Sequence, residues 1–170
     1  MEAAQRREAI RQKLAEAQEA VVARELAESF DVSRQIIVGD IALLRAAGLD
    51  ILSTPKGYLL KKQSEEGVRR SIVSQHLPEE THDELYTIVD LGGEILDVTV
   101  EHPIYGLIKG DLNISSRLEV DEFIEKIGKN PSALLSTLTD GLHMHTLIAK
   151  DELRMTTIQE ALRKKGYLYE

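Results

Sequence analysis

The sequence predicts an α+β protein: an N-terminal winged helix-turn-helix followed by an α/β sandwich. Three observations lead there. Apolar residues recur at helical spacing in three runs before Gly48, then alternate in two short runs around a turn. Past residue 66, strand-like and helix-like runs mix in the order β-α-β-β-α-β-α-β. Charge divides along the same line. Residues 1–62 carry 10 Lys and Arg against 9 Asp and Glu, a net +1, while 63–170 carry 11 against 20, a net −9. A chain at −8 overall is a poor nucleic-acid binder taken whole. The near-neutral front half is free of that objection.

The first helix covers 2–17, with Ile10, Leu14 and Ala17 on one stripe. The second covers 22–29, built around Val22, Leu26 and Phe30. After Asp31-Val32, Ser33 is a good N-cap for a third helix from Arg34 to Ala47. Ile37, Ile41 and Leu44 form its inner face, and Gly48 stops it. Leu49–Ser53 and Tyr58–Leu60 read as short strands joined by the turn Thr54-Pro55-Lys56-Gly57, the wing. The acidic patch Gln63-Ser64-Glu65-Glu66-Gly67 marks a boundary between domains at 1–62 and 67–170.

Beyond it, Val68–His76 reads as a strand, and Pro78 with Glu79 and Glu80 opens a helix running to about Leu91. Gly92-Gly93 ends that helix. Ile95–Val100 and Leu107–Leu112 are strands around a bend at 102–106. A helix spans 117–128, a strand Leu142–Ala149, a last helix Asp151–Lys165, and a final strand Gly166–Tyr169.

The composition excludes several classes. With 42% hydrophobic residues the chain is an ordinary globular sequence, and no apolar run approaches the roughly 18 residues that span a bilayer. The N-terminus lacks the apolar core of a signal peptide, so the cytoplasm is the expected location. There is no Cys, so a transition-metal site must use nitrogen and oxygen ligands. No His-Glu-x-x-His, nucleophile elbow or phosphate loop occurs, which argues against an enzyme.

Two chemical signals stand out. The third helix opens Ser33-Arg34-Gln35. Arg reads guanine and Gln reads adenine through paired hydrogen bonds when a helix N-terminus enters the major groove. Ser33 can also reach a phosphate, as can Lys56, Lys61 and Lys62 in and after the wing. The second signal is His143-Met144-His145: at i and i+2 on a strand, both imidazoles point to one side. His76 ends the first strand of the same half, and Glu84 lies eight residues on, in the following helix. His76, Glu84, His143 and His145 together offer three nitrogens and a carboxylate, a set that zinc, nickel or ferrous iron accepts. His82 points away from Glu84 on its helix. His102, in the bend, is open between metal ligand, effector contact and local hydrogen bonding. Glu101 is the only carboxylate nearby that a hydrolytic metal site could use as base.

These residues resemble the niacin-responsive transcription repressors of the NiaR family. The likeness runs through Asp31-Val32-Ser33-Arg34-Gln35-Ile36-Ile37-Val38, Asp40–Ala46 and Thr54-Pro55-Lys56-Gly57-Tyr58 in the front half. In the back half it runs through Asp83-Glu84-Leu85, Val98–Gly106, Ser115-Ser116-Arg117 and Leu138–Thr146, which resemble the family's three-histidine domain. The resemblance implies a homodimeric repressor of NAD-precursor genes that binds double-stranded operator DNA, with nicotinic acid as co-repressor. It also implies a divalent metal, nickel or zinc, held by His76, Glu84, His143 and His145. His102, Tyr105 and Arg117 are candidates for contacting the effector. Where the family usually has a longer polar residue, this chain has Gly39, which costs a helix about 1 kcal/mol against alanine and removes one possible DNA contact. A repressor that senses the metal itself is the competing expectation, and a metalloenzyme the third.

Overall fold

The computed structural model describes residues 1–61 and 67–170. Chain contacts divide it into two compact units, Met1–Ser64 and Glu65–Glu170. Gln63, Ser64, Glu65 and Glu66 of the acidic patch, and Lys62, lie outside the described residues.

In the first unit, α1 (Ala3–Glu16), α2 (Ala23–Phe30) and α3 (Arg34–Ala46) precede a hairpin of β1 (Ile51–Thr54) and β2 (Gly57–Leu60). Ile10 and Leu14 of α1, Leu26 of α2 and Ile37, Ile41 and Leu44 of α3 form its core as expected, whereas Val22 is the exposed N-cap of α2, with Ala23 and Ala27 packed instead, and Ala17 follows α1 outside the core. Between α2 and α3 the chain turns at Asp31, which takes a left-handed conformation. Ser33 Oγ accepts from the Ile36 N–H and caps α3. One feature goes beyond the sequence reading: Val21 bridges Tyr58 by two backbone bonds, 2.7 and 2.8 Å, adding a minimal third strand to the wing. Gly57 permits it, since a Cβ there would lie 2.3 Å from the Val21 carbonyl oxygen. Asp40, buried on α3, receives the Arg6 guanidinium at 2.6 Å and Arg7 at 3.7 Å, tying α1 to α3.

The second unit is a four-stranded antiparallel sheet in the order β3-β6-β4-β5, with β3 Val68–Gln75, β4 Glu94–His102, β5 Gly106–Ile114 and β6 Leu142–Ala149. Helices α4 (Thr81–Asp90), α5 (Arg117–Lys129) and α6 (Glu152–Lys164) complete it. Their apolar sides share one core with the sheet: Leu85 and Ile88, Val120, and Met155, Ile158 and Leu162 meet Ile72, Ile95, Leu112, Ile114 and Leu147. Pro78–Glu80 forms a 3₁₀ turn ahead of α4.

Two expectations are corrected. Gly166–Tyr169 is not a strand of the sheet. Leu168 makes a single bridge to Ser74 on the edge of β3, with backbone bonds from Gln75 to Tyr167 and from Tyr169 to Val73. Helix α5 runs through Gly128 to Lys129, because nothing crowds that glycine and a helical φ suits it. The stretch after α5 had no assignment from sequence; it forms two 3₁₀ turns, Pro131–Ala133 and Leu135–Thr139.

Candidate functional site

On β6 the burial alternates strictly, and His143, His145, Leu147 and Ala149 face inward. The register with β3 places Ser74 opposite His143 and Ile72 opposite His145. His76 follows directly after β3, and Glu84 lies in the first turn of α4, fully buried. The turn is set by Gly141, whose φ of +86° and whose absent Cβ (it would lie 2.2 Å from the His76 carbonyl oxygen) let the two segments touch.

The four side chains meet. His143 Nε2 is 3.2 Å and His145 Nε2 2.9 Å from Glu84 Oε1, and His76 Nε2 is 2.9 Å from Glu84 Oε2. Ligand atoms of His76, Glu84 and His143 all lie within 4.8 Å of one another. Every imidazole uses Nδ1 on a backbone carbonyl: His76 on Leu77 at 2.8 Å, His143 on Gly141 at 2.7 Å, His145 on Asp97 at 2.7 Å. A carbonyl oxygen only accepts, so each Nδ1 carries the proton and donates. Each ring therefore turns its Nε2 toward a carboxylate that only accepts, and these close contacts need a proton or a cation between them. His76 Nε2 and Glu84 Oε2 are misaligned for a hydrogen bond despite their closeness, and both lack a hydrogen-bond partner.

Such a cluster is stable only around positive charge, either protons or a cation. Burial disfavours charge on His76 and His145, but the Glu84 carboxylate outweighs it and raises both above the ordinary imidazole value. Burial likewise resists ionisation of Glu84, yet attraction to His145 and hydrogen bonds from His143 and His145 hold its carboxyl well below the usual range. Backbone carbonyls behind each imidazole are the outer-shell arrangement that fixes ring orientation at metal centres. The donor set and the orphaned inner atoms fit a divalent transition metal.

A cavity of about 20 Å³ adjoins the cluster, room for about one water. Glu84, His143 and His145 form one side of it, and Val98, Leu112, Phe123 and Leu134 make the rest largely apolar. The Thr81 hydroxyl, buried on the same lining, has no hydrogen-bond partner among the described residues. Sequence reasoning missed these wall residues. The unassigned stretch that holds Leu134 and Ser136 carried no periodic signal.

The three candidate effector residues are not on that lining. His102 Nδ1 accepts from the Ile104 and Tyr105 N–H groups and so braces the β4–β5 turn, the local hydrogen-bonding alternative. Tyr105 projects from that turn into solvent. Arg117 opens α5, pairs with both Asp90 oxygens at 2.6 and 2.5 Å, and lies over the Tyr86 ring. His82 is exposed and bonded to Asp121, as its place on the helix implied.

On α3, Arg34 and Gln35 are exposed at the first turn beside the Ser33 cap. Gln35, Gly39 and Ala42 follow one another on the side opposite Ile37 and Ile41, and nothing stands within 4 Å of where a Gly39 Cβ would be. Arg45 is spent internally, bonding the Ile51 carbonyl and Ser53 hydroxyl to hold the wing. Lys56 sits in the wing turn, where Thr54 Oγ1 accepts its N–H. Lys61 approaches Asp50 at 3.8 Å.

Two family models match the chain. An HTH domain model matches residues 6–59, and a 3H domain model matches residues 69–170. The "Probable transcription repressor NiaR" of Thermotoga maritima is 45% identical over 157 residues, 92% of this chain and 89% of that protein. The chain belongs to the NiaR family of transcription repressors. The "Transcription repressor NadR" of Bacillus subtilis is 41% identical over 168 residues, 97% of this chain and 93% of its own length. Membership makes the protein a DNA-binding regulator and not an enzyme. Among the described residues no helix is long and apolar enough to cross a membrane.

Proposed function

We propose that the protein represses NAD-precursor genes as a homodimer on operator DNA, with nicotinic acid as co-repressor and one divalent metal, nickel or zinc, held by His76, Glu84, His143 and His145. The observation that carries the metal is the meeting of three imidazole Nε2 atoms on one buried carboxylate, each ring held from behind by a backbone carbonyl at its Nδ1. When bound, the metal supplies a Lewis-acidic cation that a carboxylate or a ring nitrogen can ligate. The apolar wall of Val98, Leu112, Phe123 and Leu134 suits a flat ring, and the unpaired Thr81 hydroxyl suits its polar substituent. A ring does not fit within about 20 Å³, so the effector enters by displacing a wall. Coupling to DNA requires nicotinic acid to favour the dimer state whose two Ser33-Arg34-Gln35 helix ends match half-sites one helical turn apart.

The small cavity is also what favours the second reading, a repressor that responds to the ion alone. Metal-stripped protein separates the two in an operator gel-shift titration. The niacin reading expects tight binding only with metal and nicotinic acid together; full response to metal alone establishes the ion as effector. Nicotinic acid without any influence on operator affinity sinks the co-repressor assignment. A His143→Ala, His145→Ala protein that retains full metal by elemental analysis sinks the site.

A further inference from the structure

We infer that the outer edge of β5, with the β4–β5 turn, is the surface on which a second copy of this chain docks, strand against antiparallel strand, about a two-fold axis at Gly110. The inference deepens the homodimer of the proposed function and rests on that reading for the expectation of two copies.

β5 is the last strand of the sheet and, among the described residues, pairs with β4 alone. A strand edge presents unpaired backbone donors and acceptors and is a template for another strand. Gly106, Leu107, Lys109 and Asp111 along it are exposed. The turn leading into β5 is apolar and outward: Ile104 is 81%, Tyr105 76% and Leu107 65% exposed. His102 holds this turn from inside by accepting two of its N–H groups, so the three side chains stay extended into solvent. Neighbouring apolar side chains on a rigid tip beside an open edge mark an interaction site.

The charge pattern identifies the occupant. In an antiparallel pair, opposite residues lie on the same face of the sheet. Two copies related by a two-fold axis normal to the sheet must therefore pair residues of the same parity, with one residue facing itself. An axis at Lys109 sets Lys109 against itself, and an axis at Asp111 sets Asp111 against itself; like charges directly opposite are destabilising. An axis at Gly110 sets Lys109 against the partner's Asp111, twice by symmetry, and Ile108 against the partner's Leu112. The Lys109 ammonium already sits on the face this requires, 3.8 Å from Asp97 and 3.9 Å from Asp111 of its own chain. Leu112, Asn113 and Ile114 are buried and Asn113 has a φ of +52°, so strand pairing is short and the apolar tip adds the remaining contact.

The test is the dissociation constant of the full chain by sedimentation velocity. Lys109→Glu and Asp111→Lys each weaken the dimer by about tenfold or more, because each places like charges opposite twice. Lys109→Glu with Asp111→Lys restores it to within about threefold, since the reversed pairs attract again. A monomeric wild type overturns the inference, as do single variants with unchanged dissociation constants or a double variant no tighter than the singles. Metal uptake, measured on the same proteins, keeps the two readings apart. Failed charge reversal with intact uptake removes this interface and leaves the sensor; failed uptake with successful reversal does the opposite.

Discussion

Glu84→Gln separates the metal-binding role of the cluster from its structural role. The substitution keeps shape and hydrogen-bonding capacity but removes the one anion among the four inner groups. In the metal-free protein the amide can still donate to the Nε2 of a neutral imidazole through its nitrogen and accept through its oxygen. The loss of the carboxylate's attraction for protonated imidazoles opposes this, and the metal-free variant should melt within a few degrees of the metal-free parent. Metal binding is a different matter. A ligand present at 100 times its Kd stabilises a fold by about 2.7 kcal/mol. The second unit, Glu65–Glu170, is roughly 100 residues, for which each kcal/mol moves the midpoint by about 4–5 °C. The parent should therefore gain about 12 °C on loading with nickel or zinc. The variant, with no anionic ligand, should gain less than about a third of that at the same concentration. Circular dichroism melts of chelator-treated protein, followed at the metal-responsive transition, read both numbers. A variant that keeps the full gain shows that Glu84 is no ligand. A metal-free variant that melts many degrees lower shows that the carboxylate is structural.

Three further outcomes follow from the geometry. Gln35→Ala and Arg34→Ala should each cost about 1–3 kcal/mol of operator affinity and relax base preference at one position, measured by fluorescence anisotropy on single-base variants; uniform weakening across all sequences contradicts base reading. Gly141→Ala should abolish metal uptake, because its Cβ would meet the His76 carbonyl oxygen at 2.2 Å in a backbone conformation L residues avoid; normal elemental stoichiometry refutes the close approach. Asp40→Ala should lower the urea midpoint of the first unit by removing the carboxylate that receives Arg6 and Arg7; an unchanged midpoint shows the pair to be dispensable.

The first unit was legible because its determinants are local. The stripes Ile10/Leu14 and Ile37/Ile41/Leu44, the Ser33 cap and the wing turn are each spaced within one element. What escaped was the Val21 bridge to Tyr58, which joins residues far apart in sequence through backbone atoms that carry no sequence signature. In the second unit, the alternation of β6 announced that His143 and His145 share a face. That His76 and Glu84 converge on them depended on antiparallel pairing of β3 with β6 and on Gly141 letting the segments touch. His102 and Tyr105 lie close to the histidine motif in residue type but belong to a turn with its own hydrogen bonding.

The sequence by itself determined the helices, the wing, the absence of cysteine thiolates and the candidates for a nitrogen-and-oxygen metal site. These follow from side-chain chemistry and short-range periodicity. Only the tertiary structure decided that the Nδ1 atoms of His76, His143 and His145 each meet a backbone carbonyl, turning their Nε2 atoms onto one buried carboxylate. Ring orientation and tautomer are set by carbonyls from three separate segments, at Leu77, Gly141 and Asp97, and no linear pattern encodes where those oxygens will stand.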